Sequence, residues 1–394
     1  MSRAGRLAFI APRFSETGTI GGAETLIKQL AEHAAAAGRS VTFLTTCAQD
    51  HFSWANTLPP GRRRCGPLDV HFFPVDTDRD VSAFLRVQAQ IDRGAPISPP
   101  DEETWIQNSV NSRALCDHLR AHGGDYDRIL AGPYLFGVTY NASRVWPEKT
   151  LLVPCLHDEP FAYLGIMRGL FDRVAGCLFN AEPERELARR LYAFPDSKSA
   201  VVGMGLEPFE ADPAVFARRR GLTQPYVIYS GRRELLKGTP LLCDYLLAFR
   251  ERTGRDLKLV LTGSGPVEAP PALLPHLLDV GFVSEQGKHE AMAGAVAFVH
   301  PSVNESFGIV LLEAWLAGTP GLVHAGSAVL RWQCRQANGG LWFRHYPDFE
   351  EGLLRLLDDP ALRRALGAAG RRYVQTAYAW PAVEKRLFDA LDSL

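Results

Sequence analysis

His300-Pro-Ser-Val-Asn-Glu-Ser-Phe-Gly-Ile-Val-Leu-Leu-Glu-Ala-Trp-Leu-Ala-Gly-Thr-Pro320 is the stretch on which the fold turns. The apolar residues 296–300 read as a buried strand that Pro301 stops. A polar turn follows, and 307–317 then read as an apolar helix. In an open α/β sheet that order puts the turn at the C-terminal edge of the strands, where such sheets bind ligands. Glu305 is expected in the turn, and Glu313, eight residues on, about two helical turns in. The backbone N–H groups of Phe307, Gly308 and Ile309 would open the helix, and with its dipole they make an anion site. Gly308 lets the backbone approach a ligand closely. Either glutamate alone would pass for an ordinary helix acid. Glu313 inside the apolar run 309–316 is a costly placement and argues for a role.

Strand and helix alternate outward from this stretch. Downstream of Pro225 we expect strands at 226–230, 257–262, 280–283, 296–300 and 321–324, and helices at 239–252 and 288–294. The first half opens the same way, with strand 7–12, a glycine-bearing loop, helix 23–37 and strand 41–45. Beyond it we expect a strand near 70–73 with irregular chain elsewhere in 50–100, then helix 104–122, strand 128–131 and strand 151–156. Strand–helix–strand order implies parallel, right-handed units. With 394 residues, the length suits two domains. The expected fold class is α/β, two doubly wound Rossmann-like domains facing each other across a cleft, with 203–224 as connector.

Composition narrows the function. Lys+Arg 43 against Asp+Glu 44 leaves a net charge of −1, which speaks against a strongly basic nucleic-acid binder. No apolar run reaches the length of a membrane span, and the short one after Arg6 does not read as a signal segment. Seven cysteines without a C-x-x-C pair read as reduced thiols of a cytoplasmic enzyme, and no ligand cluster suggests a metal.

Three further motifs carry chemistry. Ser230-Gly-Arg-Arg-Glu-Leu-Leu-Lys-Gly238 follows a strand. Arg232 and Lys237 in that loop can meet a diphosphate from two sides, whereas Arg233 is expected to point elsewhere. Gly21-Gly-Ala-Glu24 opens the first helix, and Gly22 suits a close approach to phosphate or sugar. Pro154-Cys-Leu-His-Asp-Glu-Pro160 ends a strand, which would project His157, Asp158 and Glu159 into the expected cleft. The dinucleotide glycine fingerprint and the G-x-S-x-G elbow are both missing.

These residues together resemble the retaining glycosyltransferases of family 4, also described as glycosyl transferases group 1, on the GT-B fold. The resemblance rests on Glu305-(seven residues)-Glu313 with Ser-Phe-Gly inside it, on Arg232-(four residues)-Lys237, on Gly-Gly-Ala-Glu, and on Tyr378-Ala-Trp380 before a last helix. It implies an N-terminal acceptor-side domain at 1–205 and a donor-binding domain at 206–379. The terminal helix 380–394 would cross back to the first domain. It implies further that Arg232 and Lys237 hold the donor diphosphate and that Glu313 bonds the ribose hydroxyls. Glu305 and His157 would lie by the donor sugar as catalytic residues. Gly22, Phe307, Gly308 and Ile309 would contact phosphate or sugar, and Val283 the base. No cofactor and no metal is expected, only a nucleotide-sugar donor and a glycan, glycolipid or small-molecule acceptor. The expected reaction is transfer with retained configuration, in bacterial glycan or glycolipid assembly. The alternatives are a same-fold sugar-nucleotide epimerase and a silent nucleotide-sugar-binding protein. One departure stands out: no glutamate follows Gly318-Thr-Pro320 until Glu350. The expected location is the cytoplasm. Contact with the inner membrane face through Arg62-Arg-Arg64 or Arg218-Arg-Arg220 is a lesser option than a solvated surface for both triplets.

Overall fold

The structure is a computed structural model that describes residues 5–16 and 20–394. The chain forms two compact units, one of residues up to Met204 together with Val383–Leu394, the other Gly205–Ala382.

The first unit carries an eight-stranded sheet: β1 (Arg6–Ile10), β2 (Ser40–Thr46), β3 (Gly61–Cys65), β4 (Leu68–Phe73), β5 (Arg128–Ala131), β6 (Thr150–Leu152), β7 (Gly176–Phe179) and β8 (Ser199–Val201). Their spatial order is β3-β4-β2-β1-β5-β6-β7-β8, parallel throughout except for the antiparallel β3–β4 pair. Near-continuous apolar strands such as Leu7–Ile10 are what a parallel sheet buried on both faces requires. The second unit carries six parallel strands: β9 (Tyr226–Ser230), β10 (Lys258–Thr262), β11 (Leu277–Gly281), β12 (Ala297–His300), β13 (Gly321–His324) and β14 (Gly340–Phe343). Their order is β11-β10-β9-β12-β13-β14. Both sheets are doubly wound.

Several expectations fail locally. The region 50–100 holds β3 and the helix Val81–Asp92, and a second helix, Pro99–Gln107, starts at its end. Residues 104–122 are not one helix. The first part ends at Gln107 and a second helix spans Arg113–His122. Asn111 causes the break: its side-chain amide donates to the carbonyls of Ile106, Gln107 and Ser109, and Ser112 then caps the next helix. The strand expected at 151–156 stops at Leu152. That expected at 280–283 ends at Gly281, which leaves Val283 outside the strand. The connector 203–224 contains the helix Pro213–Arg220, capped by Asp212 and closed by left-handed Gly221.

The helix Trp380–Ser393 supplies Val383–Leu394 to the first unit. There Glu384 meets His33 Nδ1 at 2.6 Å, Arg386 donates to the Val202 carbonyl at 3.0 Å, and Arg39 lies over the Phe388 ring at 5.5 Å. Among the described residues no helix is long and apolar enough to cross a membrane. None of the seven cysteines, all buried, forms a disulfide.

Candidate functional site

In the second sheet β9 and β12 are neighbours, although the chain visits β10 and β11 between them. The loops that leave their C-terminal ends, 231–238 and 301–308, therefore meet at the point where strand order reverses, the usual ligand crevice of an open α/β sheet. Gly238 permits the approach, since at φ 73° a Cβ would lie 2.9 Å from the Pro301 carbonyl oxygen. Lys237 Nζ then donates to Glu305 Oε1 at 2.7 Å and to the Asn304 carbonyl at 3.3 Å. His300 Nε2 stands 3.5 Å from the same Glu305 oxygen. Burial pushes the His300 imidazole down to about 4, with Glu305 opposing and Lys237 reinforcing, so the ring is neutral near pH 7.

The two arginines of the first loop diverge as expected. Arg232 is half exposed, its guanidinium 4.0 Å from Glu234. Arg233 is buried, donating to Asp279 Oδ1 and to the Gly265 carbonyl, each at 2.9 Å. It fastens the loops after β9 and β10 to each other. Gly263 completes that junction: a Cβ there would fall 2.2 Å from the Gly231 carbonyl oxygen.

The helix after Glu305 is Ile309–Leu316, shorter than expected. Phe307 and Gly308 precede it, Gly308 being the cap residue at φ 82°. Glu313 therefore lies about one turn in rather than two, because half of its spacing from Glu305 is loop. Phe307 is buried, its ring edge-on to Tyr378 at 5.1 Å. Of the three residues expected to open the helix, Ile309 alone is helical. Glu313 does face a partner: its Oε1 accepts from Lys288 Nζ at 3.0 Å, and Lys288 also reaches Glu285 at 2.8 Å. Glu313 Oε2 is buried and accepts no hydrogen bond from a described residue. Burial pushes the Glu313 carboxyl up, and Lys288 pulls it back. For Lys288 burial works downward, but Glu313 and Glu285 outweigh it and hold the ammonium above its usual range.

Sequence reasoning missed Lys288, although a lysine three residues after Glu285 in a short helix was a legible pairing signal. Val283 sits half-buried just before that helix, whose cap is Ser284. Glu285, His289 and Glu313 offer ligand atoms within 4.8 Å of one another. The Lys288 ammonium is bonded to both carboxylates of that set, and the His289 ring stacks on Phe209 at 3.4 Å.

Gly22 and His157 belong to the first unit. Gly22 is the first residue of the helix Gly22–Ala36. Glu24 behind it is buried against Arg13, at 2.6 Å, and so serves the fold. His157 stands in a loop past β6, its Nδ1 3.6 Å from Glu159. The buried Glu184 carboxylate braces this loop by accepting from the N–H groups of Leu156 at 2.6 Å and Asn180 at 2.5 Å. Asp158 is tied down by Arg190 and Tyr163. The basic triplets are largely engaged: Arg62 pairs with Asp69, Arg63 lies over Phe72, Arg218 meets Asp212 and Arg219 meets Glu290.

Residues 213–373 match the family described as glycosyl transferases group 1. The D-inositol 3-phosphate glycosyltransferase of Jonesia denitrificans is 27% identical over 256 residues, which span 59% of this chain and 60% of that protein. The chain thus spans little more than half the length of the curated relatives it matches. Likeness to solved structures runs almost end to end. Sucrose-phosphate synthase from Thermosynechococcus elongatus superposes with a TM-score of 0.72 at 18% identity, covering 98% of both chains. Anabaena HepE in complex with UDP-glucose gives 0.70 at 15% identity, covering 99% of this chain and all of that one. The fold is therefore α/β of the GT-B type, and the curated relatives are glycosyltransferases.

Proposed function

We propose that this chain is a glycosyltransferase that moves a sugar from a nucleoside-diphosphate sugar to an acceptor hydroxyl, with retained configuration and without a metal ion. The observation that carries the reading is the Lys237–Glu305 pair at the switch point, with Arg232 on the same loop. It lies in the segment that matches the family, and solved structures of this fold hold UDP and UDP-glucose.

The chemistry follows from charge. The leaving diphosphate gains negative charge as the glycosidic bond breaks. Arg232 and Lys237 would be fixed cations there, and a preorganised donor of this kind is worth about 3–4 kcal/mol. Glu305 orients Lys237 and would accept from sugar hydroxyls, while Glu313 would accept from the ribose. By the family resemblance His157 would lie by the donor sugar. With the cations supplied by the protein, the departing phosphate can take the acceptor proton on the same face, which retains configuration. The acceptor would be a glycan, glycolipid or small molecule.

Thermal-shift titration with UDP, GDP, dTDP, ADP and CMP, with and without EDTA, tests the donor site. A nucleotide at 100-fold over its dissociation constant stabilises by about 2.7 kcal/mol. The expected result is one nucleoside diphosphate whose shift survives EDTA and is lost in Arg232→Ala. No shift with any of them would reject the reading. Anomeric NMR of the product tests the stereochemistry, and an inverted centre would exclude same-face transfer.

A further inference from the structure

A carboxylate that recognises a diol must be ionised and held in one orientation. One neighbour of Glu313 serves both demands, orienting the carboxyl and opposing the upward push of burial on it. Glu313 projects from the helix Ile309–Leu316, and Lys288 comes from the helix Glu285–Ala293. The ammonium takes Glu313 Oε1 at 3.0 Å and is itself held by Glu285 at 2.8 Å. Its side chain is 16% exposed and that of Glu313 14% exposed, so water competes little for either group. The pair leaves one carboxylate oxygen engaged and the other, Oε2, buried without a hydrogen-bond donor among the described residues. A buried acceptor without a donor is costly unless something supplies one. A vicinal diol does so with two O–H groups.

The same ammonium also accounts for a cluster that would otherwise suit a cation. Glu285, His289 and Glu313 converge within 4.8 Å, and Lys288 contributes a positive charge bonded to two of them. The cation at this corner is thus part of the chain.

We infer that Lys288 is the positioning residue for ribose recognition: it holds Glu313 ionised and oriented so that Oε2 accepts from the ribose hydroxyls of the nucleotide. This rests on the donor reading above. Lys288 acts through Glu313 and is not itself a nucleotide contact.

The test compares the dissociation constants of the preferred nucleoside diphosphate and its 2′,3′-dideoxy analogue, by calorimetry on the full chain. Wild type should prefer the ribonucleotide by about tenfold or more, the worth of a hydrogen bond to a charged acceptor. Lys288→Met should bring that ratio to within about twofold while affinity for the dideoxy analogue stays near wild type. Lys288→Arg should restore most of the preference. Should Lys288→Met lack a cooperative melt, Lys288→Gln carries the same comparison. If Lys288→Met keeps the wild-type preference, the inference is wrong. If both nucleotides weaken equally, Lys288 touches the base or phosphate instead, and the inference is again overturned. A wild type that binds no nucleoside diphosphate rejects the donor reading itself, which is a separate outcome from binding without ribose preference.

Discussion

Removing Arg233 should cost stability, where removing its neighbour Arg232 should cost ligand affinity instead. Its guanidinium is buried and shared between Asp279 and the Gly265 carbonyl. Breaking a buried pair by deleting one partner costs about 3–5 kcal/mol, and the partial exposure of Asp279 trims that to roughly 2–3. Urea unfolding of Arg233→Ala checks this, whereas Arg232→Ala should unfold like wild type. A second residue-scale effect concerns His118, packed against His71 and His122 with Nε2 buried and without a partner among the described residues. Burial, reinforced by His71 and His122, pushes it down to about 4. The unfolded chain, at about 6.5, takes up the proton first. Stability is therefore full above pH 6.5 and falls as pH drops toward 4. Relative to His118→Leu, wild type should lose up to about 1 kcal/mol per pH unit across that window. A constant difference from pH 7 to 4.5 would contradict it.

At the scale of elements, loop contact rather than helix propensity shapes the site. Gly263→Ala would drive a methyl group into the Gly231 carbonyl at φ 109°. The loops after β9 and β10 would have to part, at a cost of more than about 2 kcal/mol. Circular-dichroism melts should show it, with weaker nucleotide binding beside it. Strands such as β1, β5, β9 and β13 were legible because each is a short apolar run between turn residues. The Glu305–Lys237 meeting was legible in kind, since both follow strands. Their shared edge needs the strand order, which no local pattern encodes. β3 was illegible for a different reason. Its Arg62-Arg-Arg64 alternates around an edge where Asp69 and the Phe72 ring, not a buried core, receive the side chains. The helix expected over 104–122 failed because helical spacing persists across Asn108–Ser112, while the Asn111 amide takes the carbonyls that would continue it.

At the scale of the molecule, the first unit is discontinuous in sequence. Deleting 383–394 should remove the bonds of Glu384 to His33 and of Arg386 to Val202, and uncover the apolar surface that the buried Val383 and Leu387 now cover. That surface alone is worth about 3–6 kcal/mol, a large part of a domain's stability. Limited proteolysis should then attack the first unit and leave Gly205–Ala382 protected. Equal protection of both units would refute the prediction. The same discontinuity orders events during synthesis. The segment 383–394 leaves the ribosome after all of 205–382, so the second unit has its whole chain available while the first still lacks a piece. The unit whose residues emerge first is the one that finishes folding later.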